Sequence, residues 1–297
     1  WLKQALLKLG HPAEDLCGFS EGDRLALALR ERASSGSAFE LRRYQPGAFE
    51  AFYRGGGPRG GAGVVVLPCG AGKTVVGLGA MQRWQSSTLI LATNTVAVHQ
   101  WRDELLDKSD LAPDQIGEYT GERKQIRPVT IATYQILTHR ESRDGDYAHL
   151  ELVRQRGFGL VIYDEVHMLP APVFRVTAEI QARRRLGLTA TLVREDGREG
   201  DVFALIGPKR YELGWKLLES QGYIAEARCI EVRLELTDEL RIAYALAEKR
   251  DKFRIAAENP RKMRIVEELI EDNPDDSILV IGQSIAQLEA LSSRLGL

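Results

Sequence analysis

The chain has 297 residues, 44% hydrophobic and 28% charged, a composition that excludes intrinsic disorder and leaves room for one large domain or two modest ones. Forty Lys+Arg against 42 Asp+Glu give a net charge of −2, so any contact with a polyanion has to be local. Cys17, Cys69 and Cys229 are widely spaced with no CxxC, which rules out a disulfide scaffold and a cysteine zinc cluster and fits a reducing compartment.

In chain order, residues 1–40 read as a separate N-terminal segment. Leu2, Leu6 and Leu9 recur at helical spacing, Gly10 is placed as a C-cap with Pro12 beyond it, and the serines and glycine of 34–37 read as a linker or turn. From 41 to about 225, short apolar runs alternate with helix-length amphipathic stretches; the runs are 64–67, 88–92, 129–132, 160–163 and 186–189. Continuous apolar strands separated by helices predict an α/β domain, a parallel sheet with helices on both faces. Right-handed crossovers then gather the C-terminal ends of the strands, and the chemistry, along one edge.

Residues 226–297 read differently. Residues 226–236 suggest a strand with Ile230, Val232 and Leu234 on one face, and 241–264 is helical with eight basic and three acidic residues, broken at Asn259-Pro260. Residues 277–281 predict a buried strand, followed by a helix to Leu297. The basic stretch reads as a charged helical surface, or else a hinge face near nucleic acid. Arg183, Arg184 and Arg185 read as a solvated helix end. No apolar run is long enough to span a bilayer, so no membrane partner is expected. The chain opens on Trp1 with no secretory signal and stops after a helical pattern, and it reads as a fragment. Thirty arginines against ten lysines point to a GC-rich, prokaryotic genome.

Three motifs carry chemistry. The run 64–67 leads into Pro68-Cys69-Gly70-Ala71-Gly72-Lys73-Thr74. Gly70, Ala71 and Gly72 let backbone N–H groups turn inward on phosphates, Lys73 supplies charge and Thr74 a hydroxyl for Mg²⁺. Leu67 stands where a strict G-x-x-x-x-G-K-T has its first glycine, and a plain glycine-rich turn is the alternative. The apolar run 160–163 ends in Asp164-Glu165-Val166-His167, where one carboxylate can hold Mg²⁺ and its neighbour can orient or deprotonate water. The run ending in Leu188-Thr189-Ala190-Thr191 offers two hydroxyls to bond the acidic motif and sense a γ-phosphate. An isolated acidic pair or threonine-rich strand end would be unremarkable; the order of the three argues otherwise.

These motifs resemble the first RecA-like motor domain of superfamily 2 helicases. Leu41-Arg42-Arg43-Tyr44-Gln45 looks like the adenine-sensing Q motif, and the phosphate loop, the Asp164–His167 DEVH box and Gly187 through Thr191 to Arg194-Glu195-Asp196 together resemble the XPB family. The Asp-Glu-Ala-Asp and Ser-Ala-Thr of DEAD-box proteins do not occur. The resemblance implies ATP and Mg²⁺ as cofactors and DNA, duplex or forked, as partner. It assigns adenine to Arg42 and Gln45, phosphate and metal to Lys73 and Thr74, metal to Asp164 and catalytic base to Glu165. It makes His167 the link to Thr189 and Thr191, a satisfied strand-end histidine being the other reading. Thr93, Asn94, Thr95 and Thr133 would touch the DNA backbone, although helix caps look the same. Arg194, Glu195 and Asp196 would help to open the duplex; a surface turn of paired charges is equally consistent with their chemistry.

The same resemblance makes 1–40 a remnant of a damage-recognition domain, 41–225 the complete first motor domain and 226–297 the beginning of a second RecA-like domain. The later motifs of that second domain, a Q-x-x-G-R-like run included, do not occur, so weak turnover is expected of the chain alone. The implied activity is 3′-to-5′ DNA unwinding or translocation in repair or transcription, with a repair nuclease as partner. The implied location is the bacterial cytoplasm at the nucleoid, or the nucleus in a eukaryote. A restriction-type double-strand translocase, or a nucleotide-binding fragment without turnover, would share several of these motifs.

Overall fold

The computed structural model describes residues 5, 6, 9, 20–57, 60–140, 147–168, 177, 180–191 and 199–296. The chain divides into two compact units, Trp1–Glu226 and Ala227–Leu297.

The first unit is built on one seven-stranded sheet of β1 (Ala62–Val66), β2 (Thr88–Ala92), β3 (Ile116–Tyr119), β4 (Val129–Thr133), β5 (Leu160–Tyr163), β6 (Arg184–Thr189) and β7 (Lys209–Glu212). The strand order is β3-β4-β2-β5-β6-β1-β7 and every neighbouring pair is parallel. Successive side chains point to opposite faces, and here both faces are covered. Val65, Ile90, Ile162 and Leu188 look towards α1 (Tyr44–Tyr53), α2 (Lys73–Trp84) and α3 (Thr95–Lys108). Val64, Leu89, Val161 and Tyr163 look towards α4 (Ala148–Arg156) and α5 (Glu199–Ile206). That double burial is why the central strands read as unbroken apolar runs, each fully buried aliphatic side chain contributing about 1.5–3 kcal/mol. A short α6 (Trp215–Ser220) follows β7.

Two strands escape the sequence reading, and both lie on sheet edges. β3 (Ile-Gly-Glu-Tyr) and β7 (Lys-Arg-Tyr-Glu) each have one strand neighbour, so neither needs a continuous apolar sequence.

Residues 20–38 are not a separate segment: they are stitched along the N-terminal ends of the strands. Leu25 N–H donates to Gln85 O, the Gln85 amide donates to Leu27 O at 2.6 Å, and Arg30 N–H donates to Lys108 O. Ser34 bonds Asp107 through both its N–H and its hydroxyl. Leu25 and Leu27 are buried in the core beneath them.

Two of the three arginines read as solvated belong to the sheet, and Arg183, in the bend before it, pairs with Glu21. Arg184 and Arg185 lie on β6 and are only 6% and 9% exposed. Arg184 lies over the Trp84 ring at 4.0 Å, while Arg185 donates to Ile180 O and Leu205 O. Burial, with Arg183 next to it, lowers Arg184 to about 10, so it remains a cation at neutral pH.

The second unit contains α7 (Asp238–Leu246), α8 (Lys249–Ala257), α9 (Pro260–Glu271) and α10 (Ile285–Leu295). Thr237, Asn259 and Ser284 cap three of them, and Arg294 bridges to Glu267 at 2.6 Å. The expected strands at 226–236 and 277–281 do not form: both stretches are largely exposed, with Leu279 at 82% and Ile281 at 83%. A strand needs a neighbour to satisfy its backbone N–H and C=O groups, and among the described residues neither stretch has one.

Replacing Leu27 with alanine should destabilise the first unit by about 2–4 kcal/mol, read as a lower urea midpoint with unchanged slope. A loss under about 0.5 kcal/mol would mean that the 20–38 strap does not belong to the cooperative core.

Candidate active site

The sheet order sets β5, β6 and β1 side by side, so the loops that follow them meet at one edge. Leaving β1, the chain enters 67–72 and begins α2 at Lys73. Gly70 and Gly72 have φ of 74° and 72°, the left-handed region. A Cβ on Gly72 would also lie 2.6 Å from the Gln45 amide nitrogen, so a larger residue there would be strained and would displace the amide that supports the loop.

The loop's carbonyls are held from one side. Arg42 donates to Gly70 O at 2.7 Å, the Tyr44 hydroxyl to Ala71 O at 2.6 Å, and the Gln45 amide to Ala71 O at 3.3 Å and Gly72 O at 3.5 Å. Across a trans peptide the C=O and the next residue's N–H point in opposite directions, so anchoring these carbonyls turns the N–H groups of Gly72 and Lys73 towards the other side, while the Ala71 N–H donates to Pro68 O at 3.2 Å. Gly72 makes no side-chain cap, which leaves the first turn of α2 an anion site with the positive end of the helix dipole. Tyr223 closes this corner, its ring edge-on to Tyr44 at 5.4 Å and under the Arg42 guanidinium at 5.6 Å.

Opposite the loop lies the acidic motif. Lys73 Nζ is 3.1 Å from Glu165 Oε1. Glu165 has φ of 46°, a left-handed conformation costly for a residue with a Cβ, and its N–H donates to Asp164 Oδ1 at 3.0 Å. His167 Nδ1 lies 2.7 Å from the Thr189 hydroxyl, which itself donates to Thr191 O at 2.6 Å. The single hydroxyl proton goes to Thr191, so His167 carries its hydrogen on Nδ1 and donates. Glu165 Oε2, 3.4 Å from that nitrogen, is buried without a hydrogen-bond partner. An orphaned carboxylate oxygen beside an anion cradle is what a water or a polar ligand would satisfy.

Asp164 is held on its other side. Trp101 on α3 donates from its indole N–H to Asp164 Oδ2 at 2.9 Å, and the Tyr134 hydroxyl donates to Asp164 O at 2.7 Å. Burial raises the Asp164 carboxyl, against which the Trp101 bond works. Burial, with Asp164 nearby, raises Tyr134 well above its ordinary value and keeps it a donor.

Lys73, Glu165 and Asp164 thus form one bonded group and His167, Thr189 and Thr191 a second, the two 3.4 Å apart at Glu165 Oε2 and His167 Nδ1, with Arg42, Gln45, Gly70, Ala71 and Gly72 forming the loop and its support. Gln45 is buried and committed to Arg42, Ala71 and Gly72, so it shapes the loop whatever else it contacts. Thr74 follows Lys73 in the first turn of α2. Thr93, Asn94 and Thr95 stand at the end of β2, where Asn94 caps α3 by accepting from Ala97 N–H at 2.9 Å. Thr133 is a buried residue at the end of β4. Arg194, Glu195 and Asp196 lie outside the described residues. Trp101 escaped the sequence reading, because an indole on an amphipathic helix looks like ordinary core. Among the described residues no group of three or more His, Cys, Asp or Glu side chains could hold a metal by itself, and no helix is long and apolar enough to cross a membrane.

A parallel α/β sheet with a glycine loop at β1, an acidic pair at β5 and a hydroxyl pair at β6 has the architecture of a RecA-like domain. Residues 38–194 match the family model described as type III restriction enzyme, res subunit, and residues 218–297 match that of the ERCC3/RAD25/XPB C-terminal helicase. A protein of Kineococcus radiotolerans named DNA 3'-5' helicase XPB is 58% identical over 99% of this chain and 51% of its own length. The protein of the same name from Mycobacterium tuberculosis is 52% identical over 99% of this chain and 52% of its own. The crystal structure of T4 UvsW is 15% identical, with a TM-score of 0.49, over 89% of this chain and 52% of that one. The chain belongs to the XPB family of superfamily 2 helicases. It spans about half the length of the curated relatives it matches.

The His167–Thr189 bond can be measured by a double-mutant cycle. His167→Ala and Thr189→Val should couple by about 0.5–1.5 kcal/mol in unfolding free energy. Strict additivity would mean that the bond contributes nothing in solution.

Proposed function

We propose that the chain is the first motor half of an ATP-dependent DNA helicase or translocase of the XPB type, working 3′ to 5′. The observation that carries this reading is the Lys73–Glu165 ion pair at the mouth of an anion-ready loop, with the His167–Thr189 bond beside it. The loop Gly70-Ala71-Gly72, through the N–H groups of Gly72 and Lys73, and the Lys73 ammonium receive the β- and γ-phosphates. The Thr74 hydroxyl and Asp164 would hold Mg²⁺, which when bound would supply charge neutralisation for the phosphates. Arg42 and Gln45 border the adenine.

Glu165 acts on the attacking water. While Lys73 is paired with it, one carboxylate oxygen is occupied. Phosphate oxygens compete for Lys73, and the freed carboxylate can then orient and deprotonate water. His167, anchored on Thr189, ties the state of this carboxylate to the end of β6. Thr93, Asn94, Thr95 and Thr133, at the ends of β2 and β4, contact the DNA backbone without reading sequence. Arg194, Glu195 and Asp196 act in strand opening.

Relatives support the polarity and the setting. The names of the two bacterial proteins specify a DNA 3'-5' helicase, and a Schizosaccharomyces pombe relative, 36% identical over 86% of this chain, is named as a general transcription and DNA repair factor IIH helicase/translocase subunit. Repair or transcription, with a repair nuclease as partner, is the corresponding role. The arginines of a second RecA-like domain would complete the transition-state contacts, a contribution of about 10³–10⁵ in rate.

Lys73→Ala should weaken binding of a fluorescent ATP analogue by about 2–3 kcal/mol, roughly 30- to 150-fold. Glu165→Gln, which also removes the carboxylate competing for Lys73, should bind as tightly as the parent or tighter while losing about 10²–10⁴ in turnover. Unchanged binding by Lys73→Ala would sink the assignment.

A further inference from the structure

Asp164 is bonded from two elements that carry the DNA-side loops. α3 begins directly after Thr93 and Asn94, and two turns along it Trp101 reaches 63 residues ahead to donate to the Asp164 carboxylate at 2.9 Å. The helical turn Tyr134–Leu137 begins directly after Thr133, and its first residue donates to the Asp164 carbonyl at 2.7 Å. The two loops are also tied to each other, because Gln135 donates to Thr93 O at 2.8 Å.

Both donors are fixed in place. Trp101 is 1% exposed and Tyr134 3%. The Trp101 ring packs directly against α2 at Gly77, where an added Cβ would lie 2.6 Å from the indole, so it is in contact with the helix that starts at Lys73. A tilt of α3 or a shift at the end of β4 therefore changes the direction in which Asp164 presents its oxygens. Interiors packed at this density transmit such shifts instead of absorbing them.

We propose that Trp101 and Tyr134 are positioning residues that couple a DNA strand held at the ends of β2 and β4 to the Asp164 carboxylate, so that DNA tightens the metal site. This rests on the nucleotide reading of the site given above. Neither residue touches nucleotide or metal; each acts through Asp164, as outer partners of a metal-ligating carboxylate do.

The test uses the longest natural form of the protein that carries this chain, with ADP present and Mn²⁺ titrated by electron paramagnetic resonance, with and without duplex DNA. Trp101→Phe keeps an aromatic ring and removes the N–H; Tyr134→Phe removes one oxygen and guards against a misfolded tryptophan variant. DNA should lower the Mn²⁺ dissociation constant of the parent. In Trp101→Phe it should rise about tenfold with DNA present and lose its dependence on DNA, and Tyr134→Phe should lose part of that dependence. A role confined to packing would shift melting temperature and leave the DNA-dependent ratio alone. Folded variants that retain the parent's ratio, or a parent whose Mn²⁺ affinity ignores DNA, would overturn the coupling and spare the nucleotide reading. A parent that binds no Mn²⁺ with ADP would overturn both.

Discussion

The last rungs of a parallel hydrogen-bond ladder fix the positions of everything at the site. Leu67 N–H donates to Thr189 O at 2.9 Å, closing β1 against β6, and Asp164 N–H donates to Leu91 O at 2.9 Å, closing β5 against β2. Beyond those rungs the backbone turns away from the sheet. The glycine loop, the acidic motif and the threonine pair then leave from neighbouring strands at one level. Parallel register does this without any contact between the motifs themselves. The strands can hold that register because both sheet faces are buried, and a slip by one residue would turn every apolar side chain to the wrong face.

On this frame sits a site whose charges are balanced without ligand. A lysine at the start of a helix already carries the positive end of the dipole, and Glu165 neutralises it at 3.1 Å. Partly buried charges of this kind are costly alone and tolerable in pairs. On the function proposed above, an incoming phosphate chain would replace the carboxylate as partner of Lys73, so that binding and the freeing of Glu165 become one event. The left-handed backbone at Glu165 points the same way, since such strain is kept where the surroundings hold a side chain in one direction.

Much of this was legible in the sequence, for physical reasons that also explain the failures. Five buried strands announce themselves as apolar runs, whereas β3 and β7 sit at edges and spell Ile-Gly-Glu-Tyr and Lys-Arg-Tyr-Glu. The glycine loop is readable because glycine is the residue that takes φ near 70° without strain, as at Gly70 and Gly72. Three consecutive arginines look solvated; nothing in sequence says that Trp84 and two backbone carbonyls receive Arg184 and Arg185. The strands expected at 226–236 and 277–281 were inferred from apolar pattern, but a pattern does not supply the neighbour that a strand requires. Trp101 was invisible for a related reason: its meaning lies in a bond to a residue 63 positions away.

The most direct test of the account is a crystal structure with Mg²⁺ and a non-hydrolysable ATP analogue. The account predicts that Lys73 leaves Glu165 for the β- and γ-phosphates, that Thr74 and Asp164 flank the metal, and that Glu165 faces a water in line with the γ-phosphate. An analogue bound elsewhere, with the Lys73–Glu165 pair intact, would contradict it.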